Sequence, residues 1–256
     1  RWKNVLMGIF MFNLARKNPD GFKQRLLEMV QDEMGADVDM THYTPSYNPW
    51  DQRLCLVPDS DLFASIKSGK ASIVTDQVEM FTKDGIKLKS GKTIAADIIV
   101  TATGLKMLTG GSAKISVDGQ PVNFGEKINY KGVMFSGIPN FGMTMGYTNA
   151  SWTLKADLTS EYVCRLVNHM DKNGTPIATP TLPVGETMGT EPMLDFSSGY
   201  VQRAIKDLPK QGDRKPWRLN QNYPKDIINL RHKAVDDGVI VFSKPGAVAA
   251  RLPEQP

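Results

Sequence analysis

The sequence predicts an α/β fold, and three features carry that prediction. Residues 97–102 (Asp97-Ile98-Ile99-Val100-Thr101-Ala102) form a nearly all-apolar run that ends in Thr103-Gly104. Such a run suits a strand covered on both faces, as in the parallel sheet of an α/β protein. A long amphipathic helix is expected from near Ser151 to about Asp171, with Leu158, Tyr162, Val163, Leu166, Val167 and Met170 on one face. Asn173-Gly174 closes it, since glycine readily takes the left-handed conformation that ends a helix. Between residues 71 and 88, short strand-like runs alternate with tight turns.

Taken in order, the chain starts at Arg1 rather than Met, which reads as an artificial or incomplete start. The apolar run Val5–Phe12 is about half as long as a membrane span needs and lacks the small-residue cleavage site of a signal peptide. A helix is expected after Asn18, which can cap it, with Pro19 at the first helical position and Gly35 beyond the end. Phe22, Leu26, Met29 and Val30 share its apolar face. Met40–Pro58 reads as a long ordered loop. Ala71–Thr75 and Val78–Thr82 read as strands, with Ile86–Leu88 pairing back across a turn at Asp84-Gly85. A second turn at Ser90-Gly91 leads into the apolar run. Val133–Ser136 is a further short strand, followed by a glycine-rich loop from Gly137 to Asn149. Residues 175–198 look like a connector, SGYVQRAIKDLP like a short helix, and PWRLNQNYPKD like an extended tail.

With 256 residues the chain suffices for one large domain or parts of two. Its 41% hydrophobic and 23% charged residues describe an ordinary soluble globular protein. A net charge of +4 is too mild to argue for nucleic acid. Cys55 and Cys164 belong to no C-x-x-C pair, which disfavours a disulfide scaffold and makes a reducing cytoplasm the default location. The three histidines, His42, His169 and His232, have no ligand-like spacing, so no metal is expected.

Four constellations could carry chemistry. At DIIVTATG, a buried strand delivers the small turn Thr103-Gly104, which lets a backbone or cofactor approach closely; an ordinary strand end is the commoner meaning. At GIPNFGMTMGYTNASWTLKADL, a loop with Gly137, Gly142 and Gly146 feeds the start of the long helix. Its unpaired N–H groups and dipole attract negative charge, although a plain loop with Asn149 or Ser151 as cap fits equally well. Arg53, between an aromatic and an apolar run, is a permanent cation suited to holding an anion, or else a structural one. Arg214, Lys215 and Arg218 around Trp217 read as a solvated face or an intrachain clamp rather than a nucleic-acid or membrane site.

Four stretches in this order, HYTPSYNPWDQRLCLVPDSDLF, ADIIVTATGL, YKGVMFSGIPNFGMTMGYTNASWTLKADL and LPKQGDRKPWRLNQNY, resemble the Baeyer–Villiger monooxygenases, in particular the ethionamide-activating branch. The resemblance covers essentially the whole chain. It implies a partial two-dinucleotide-binding-domain, Rossmann-like flavoprotein fold, with FAD and NADPH as cofactors and the N-terminal half missing. It implies that NADPH reduces the flavin and that a C4a-peroxyflavin then attacks a ketone or sulfur-containing small molecule, with molecular oxygen as co-substrate. Residues 1–100 then correspond to the end of the NADPH-binding domain and 101–175 to the returning part of the FAD-binding domain. Residues 176–256 form a connector and tail. By position, Arg53 matches the family's active-site arginine. Ala102, Thr103 and Gly104 match the motif linking the two domains. The run containing Met145, Gly146, Thr148, Asn149, Ala150 and Ser151 matches the segment against the flavin.

Two departures qualify this. No G-x-G-x-x-G follows a strand, and the F-x-G-x-x-x-H fingerprint is absent. Both are expected upstream of Arg1, so the chain alone should bind flavin weakly and not turn over, with the N-terminal half of the same protein as its partner. A disulfide reductase of similar plan would need a redox-active cysteine pair, which Cys55 and Cys164 do not supply. A non-catalytic module binding a partner through the basic, aromatic tail is the alternative from a different class.

Overall fold

The computed structural model describes residues 2–52, 54–55 and 57–246. The chain forms two compact units, one comprising Phe12–Leu105 and the other Arg1–Met11 with Lys106–Pro256. Elements of both kinds are present, so the architecture is mixed α/β.

Helix α1 (Trp2–Lys17) is basic in its last turn, where cations complement the helix dipole. It carries no capping signature, and only the apolar run Val5–Phe12 hints at it in the sequence. In the smaller unit Ala15 is fully buried, and Phe12 and Phe22 both lie against Trp50, with ring centroids 5.7 and 5.8 Å away. Helix α2 (Pro19–Met34) starts where expected, because the Asn18 side chain accepts a hydrogen bond from the Gly21 N–H at 3.1 Å. Of its expected apolar face, Phe22 is buried but Met29 is exposed. After a 3₁₀ turn (Met40–Tyr43), helix α3 (Asp61–Lys67) follows. Strands β1 (Val78–Thr82), β2 (Gly85–Leu88) and β3 (Thr93–Ala95) then make an antiparallel meander. Thr82 pairs with Gly85, so the hairpin turns on Lys83-Asp84.

Two strand expectations are corrected in this unit. Residues 71–75 form no strand. The run 97–102 is not a buried parallel strand either: it pairs with nothing among the described residues, and Ile98 and Val100 are 83% and 84% exposed. The physical reason is the lack of a neighbour. An all-apolar strand is hidden only when other strands flank it and helices cover its faces, and the described residues supply neither.

In the larger unit, short hairpins β4–β5 (Ser116–Val117, Gln120–Pro121) and β6–β7 (Asn129–Tyr130, Met134–Phe135) precede α4 (Trp152–Asn173). The connector expected at 175–198 contributes strands β8 (Ile177–Pro180) and β9 (Thr190–Pro192). Helix α5 (Gly199–Ala204) and strand β10 (Lys210–Gly212) follow, and β10 pairs with β9. The tail is not extended throughout: it forms α6 (Tyr223–Asp226) and a π-helical turn (Ile227–His232). Strand β11 (Ile240–Ser243) pairs back on β8. The β8–β11 pairing was hidden because its partners lie 60 residues apart or more, Ile240 facing Pro180 and Ser243 facing Ile177, beyond any local pattern.

Helix α4 organises the unit. Gly174 ends it in the left-handed conformation at φ 59. Leu154, Leu158, Tyr162 and Leu166 recur at helical spacing and are buried with Ile128, Tyr130, Met134, Trp217 and Leu230. Each such side chain contributes about 1.5–3 kcal/mol by leaving water, and this face holds the helix start in place. Trp217 is thus a core residue, while Arg214 bonds Glu186 and Arg218 lies 3.4 Å from Glu191. Within the basic segment, Arg214 is the intrachain clamp. No helix among the described residues is long and apolar enough to cross a membrane, and no metal-binding cluster occurs among them.

Candidate functional site

The glycine-rich loop reaches α4 through Met145–Ser151, and its shape is set by two close approaches. Gly146 is buried, and a Cβ added there would sit 2.2 Å from the Trp152 ring. Only glycine lets the first tryptophan of α4 fold back on the loop. On the other side, Gln221 grips the loop: its Oε1 accepts from the Thr148 N–H at 3.0 Å and the Thr148 hydroxyl at 3.3 Å. Its carbonyl accepts from the Asn149 side chain at 3.1 Å. Gln221 itself holds φ 45, a left-handed conformation uncommon for a residue with a side chain.

Below the loop, Tyr147 is buried and its hydroxyl donates to Asp226 at 2.8 Å. Asp226 also accepts from Lys155 at 2.8 Å and from Asn220 at 2.8 Å, and Lys155 donates to the Lys131 carbonyl at 3.1 Å. Burial pushes the Lys155 ammonium below its ordinary value, and the Asp226 charge opposes that shift. Burial, then the Asp226 charge, pushes the Tyr147 phenol up. A second group stands beside it. Tyr130 donates to Asp237 at 2.6 Å, and Lys131 pairs with Asp237 at 2.7 Å. Burial raises the Asp237 carboxyl, but the bonds from Lys131 and Tyr130 outweigh it, so the group lies below its usual range.

The helix start is left without a side-chain cap. Ser151 occupies the N-cap position but makes no capping hydrogen bond; its hydroxyl lies 2.8 Å from that of Thr153. Asn149, the other expected cap, is committed to Gln221. The first turn of α4 carries no acidic residue. Its N–H groups and dipole therefore present positive potential that no carboxylate of the turn cancels. That donor set fits one edge of a flavin, which carries negative charge near N1 and the C2 carbonyl when reduced. Nothing in the donor set resembles a diphosphate cradle.

Met145, Gly146, Thr148, Asn149, Ala150 and Ser151 are thus brought together at one helix start. Ala102, Thr103 and Gly104 belong to the other unit, where they are exposed and Gly104 has φ 110. Arg53 lies outside the described residues. Its neighbours are anchored: Asp51 accepts from Arg16 at 3.0 Å, and Pro49 bridges to Gln52. Gln221, Asp226 and Lys155 join the site without having stood out as site residues in the sequence. Lys155 had a visible signal, since it falls on the buried stripe of α4 between Leu154 and Leu158, where a charge needs a partner. Gln221 had none.

Comparison with known proteins bears on this arrangement. The chain is 49% identical over 245 residues to the FAD-containing monooxygenase EthA of Mycobacterium tuberculosis, covering 95% of this chain and 50% of that protein. It is 47% identical over 251 residues to EthA of Mycolicibacterium smegmatis, covering 98% of this chain and 51% of that protein. It is 45% identical over 250 residues to the "Probable FAD-binding monooxygenase AlmA" of Acinetobacter sp, covering 98% of this chain and 50% of that one. The chain therefore spans about half the length of the curated relatives it matches. No family model matches it, and no solved structure does.

Proposed function

Starting from a chain that belongs to the FAD-containing monooxygenase family and spans about half the length of its relatives, we propose that it supplies the flavin-edge half of an FAD- and NADPH-dependent enzyme. That enzyme converts ketones to esters or lactones and thioethers or thioamides to S-oxides. The observation that carries this reading is the uncapped, acid-free start of α4, held in place by Gln221. When bound, FAD supplies the activation of molecular oxygen.

The chain's own residues position and hold charge. The N–H groups at the start of α4 bind the negative pyrimidine edge of the flavin. Gln221 fixes the loop of Thr148 and Asn149, and Gly146 admits Trp152 against it. Tyr147, Asp226 and Lys155 anchor the loop from beneath. Arg53 would supply the cation that holds an anion and steadies the nicotinamide once both cofactors are bound. Ala102, Thr103 and Gly104 form the crossing between an NADPH-binding domain ending near residue 100 and the returning FAD-binding domain of residues 101–175, with 176–256 as connector and tail. The exposure of Ile98 and Val100 supports a Rossmann-like sheet completed by residues that this chain does not contain. On this reading the chain alone binds flavin weakly and does not turn over.

The test is to express the protein with the coding sequence upstream of Arg1 and follow NADPH oxidation with a ketone and with a thioether. Substrate-dependent NADPH consumption supports the proposal, and oxidation indifferent to both substrates counts against the chemistry assigned.

A further inference from the structure

The larger unit contains a pocket of about 380 Å³ that shares Asp226 with the network beneath the helix start and is lined by residues of 215–220, the π-helical turn, 233–239 and Lys131. Two carboxylates stand in its wall, yet neither offers it a free negative charge. Asp226 is matched by Lys155 and two further donors. Asp237 is matched by Lys131 and Tyr130. The wall also carries Lys215, Arg218 and Lys233. The side chains of Lys215 and Lys233 have no hydrogen-bond or ionic partner among the described residues. Arg218 has only Glu191 at 3.4 Å, with both side chains half exposed, an arrangement worth little. The charge left facing the cavity is cationic.

Two further observations point the same way. Asn220 and Asn229 add amide groups to the same wall. Asn229 sits in the π-helical turn, a rare conformation that concentrates at functional positions. The cavity lies at the small end of the range for ligand sites, which suits a compact molecule better than a dinucleotide. Three donor-only cations with adjoining amides match the many acceptor oxygens of a phosphate.

We infer that this pocket binds a small phosphate monoester, independently of the flavin and of the reaction proposed above. The phosphate is held by Lys215, Arg218 and Lys233, with the uncharged remainder against Pro216, Ala234 and Val239.

The test is calorimetric titration of the protein with glycerol 3-phosphate and, in a second arm, with vesicles containing phosphatidic acid. The Lys215→Ala/Lys233→Ala double variant should keep the fold, because both side chains are exposed, and circular dichroism checks that it does. A Lys83→Ala/Lys92→Ala double variant in the other unit, at two exposed lysines, controls for net charge. The expected result is saturable binding of glycerol 3-phosphate, weakened by about a hundredfold in the double variant from the loss of two charge-assisted bonds and unchanged in the control. Absence of binding, equal loss in the control, or binding to vesicles alone would overturn the inference.

Discussion

Lys155 and Asp226 form an ion pair at 2.8 Å whose side chains are 2% and 4% exposed. The pair joins α4 to the tail just beneath the loop that carries Met145–Ser151. Removing one partner strands the other charge in a desolvated place. Asp226→Ala should therefore destabilise the protein by about 3–5 kcal/mol, read as a shift in urea midpoint. The paired replacement Lys155→Met/Asp226→Leu should cost far less, since no charge remains buried. Equal losses for both would show that packing, not charge, holds this junction.

Gly146→Ala places a methyl group 2.2 Å from the Trp152 ring. The ring or the loop has to move, at a cost of about 1–3 kcal/mol. Because the displaced segment is the proposed flavin contact, the variant should also lose FAD on gel filtration when the full-length protein keeps it. A variant that retains flavin fully despite a lowered Tm would separate the loop from the cofactor.

Gln221→Ala removes the acceptor for the Thr148 N–H and hydroxyl. Losing that acceptor costs about 1–3 kcal/mol. Gln221→Gly relieves the left-handed backbone at φ 45 yet still loses the acceptor. If the grip on the loop matters for flavin, both variants weaken FAD binding even where the glycine variant is the more stable of the two. Unchanged FAD affinity in both would refute that role.

Stability should fall at alkaline pH. Tyr130, Tyr147 and Tyr162 are buried, and burial is the first cause that raises each phenol, with Tyr162 pushed up to about 12. A raised pKa means the folded state keeps its protons while the unfolded chain loses them above its ordinary value of 10.0. The contribution of the three phenols is thus fully present below that value and lost progressively as pH rises from it through the raised value of each folded phenol, by at most about 1.4 kcal/mol per pH unit for each tyrosine. Lys155, whose ammonium burial holds below its ordinary 10.5, works in the opposite sense between that lowered value and 10.5 and drops out above it. Urea midpoints measured upward from about pH 9 should decline most steeply above about pH 10.5, and the Tyr162→Phe variant should decline less. A flat profile would contradict the burial argument.

Much of the architecture was legible where local chemistry decides it. Asn18 with Pro19 marked the start of α2, Asn173-Gly174 marked the end of α4, and the stripe of Leu158, Tyr162 and Leu166 marked its buried face. Pairings decided by distant residues were not legible, as with β8 and β11, whose joining depends on neither strand alone. The run of Ile98 and Val100 shows the limit from the other side. Its composition describes a buried strand, but burial is a property of neighbours, and the described residues provide none. At the site, the loop and helix start were readable from glycine spacing and the strong helix after it. Gln221 was not, because a polar residue in a tail gains its role only from where the chain brings it.

Arg53→Ala addresses the proposed anion-holding role. In the full-length protein it should keep bound FAD, since the flavin contacts assigned here lie elsewhere. It should lower substrate-dependent turnover by about a hundredfold or more, the scale of losing one preorganised charge at a reacting centre. Turnover within a factor of about two of the parent would remove Arg53 from the mechanism.

The most direct test of the central claim is the absorbance spectrum of the protein purified with the sequence upstream of Arg1. The expected result is a yellow protein with the two-banded spectrum of bound FAD, bleached by NADPH without oxygen and restored on its admission. A folded, colourless protein that takes up no added FAD would contradict it.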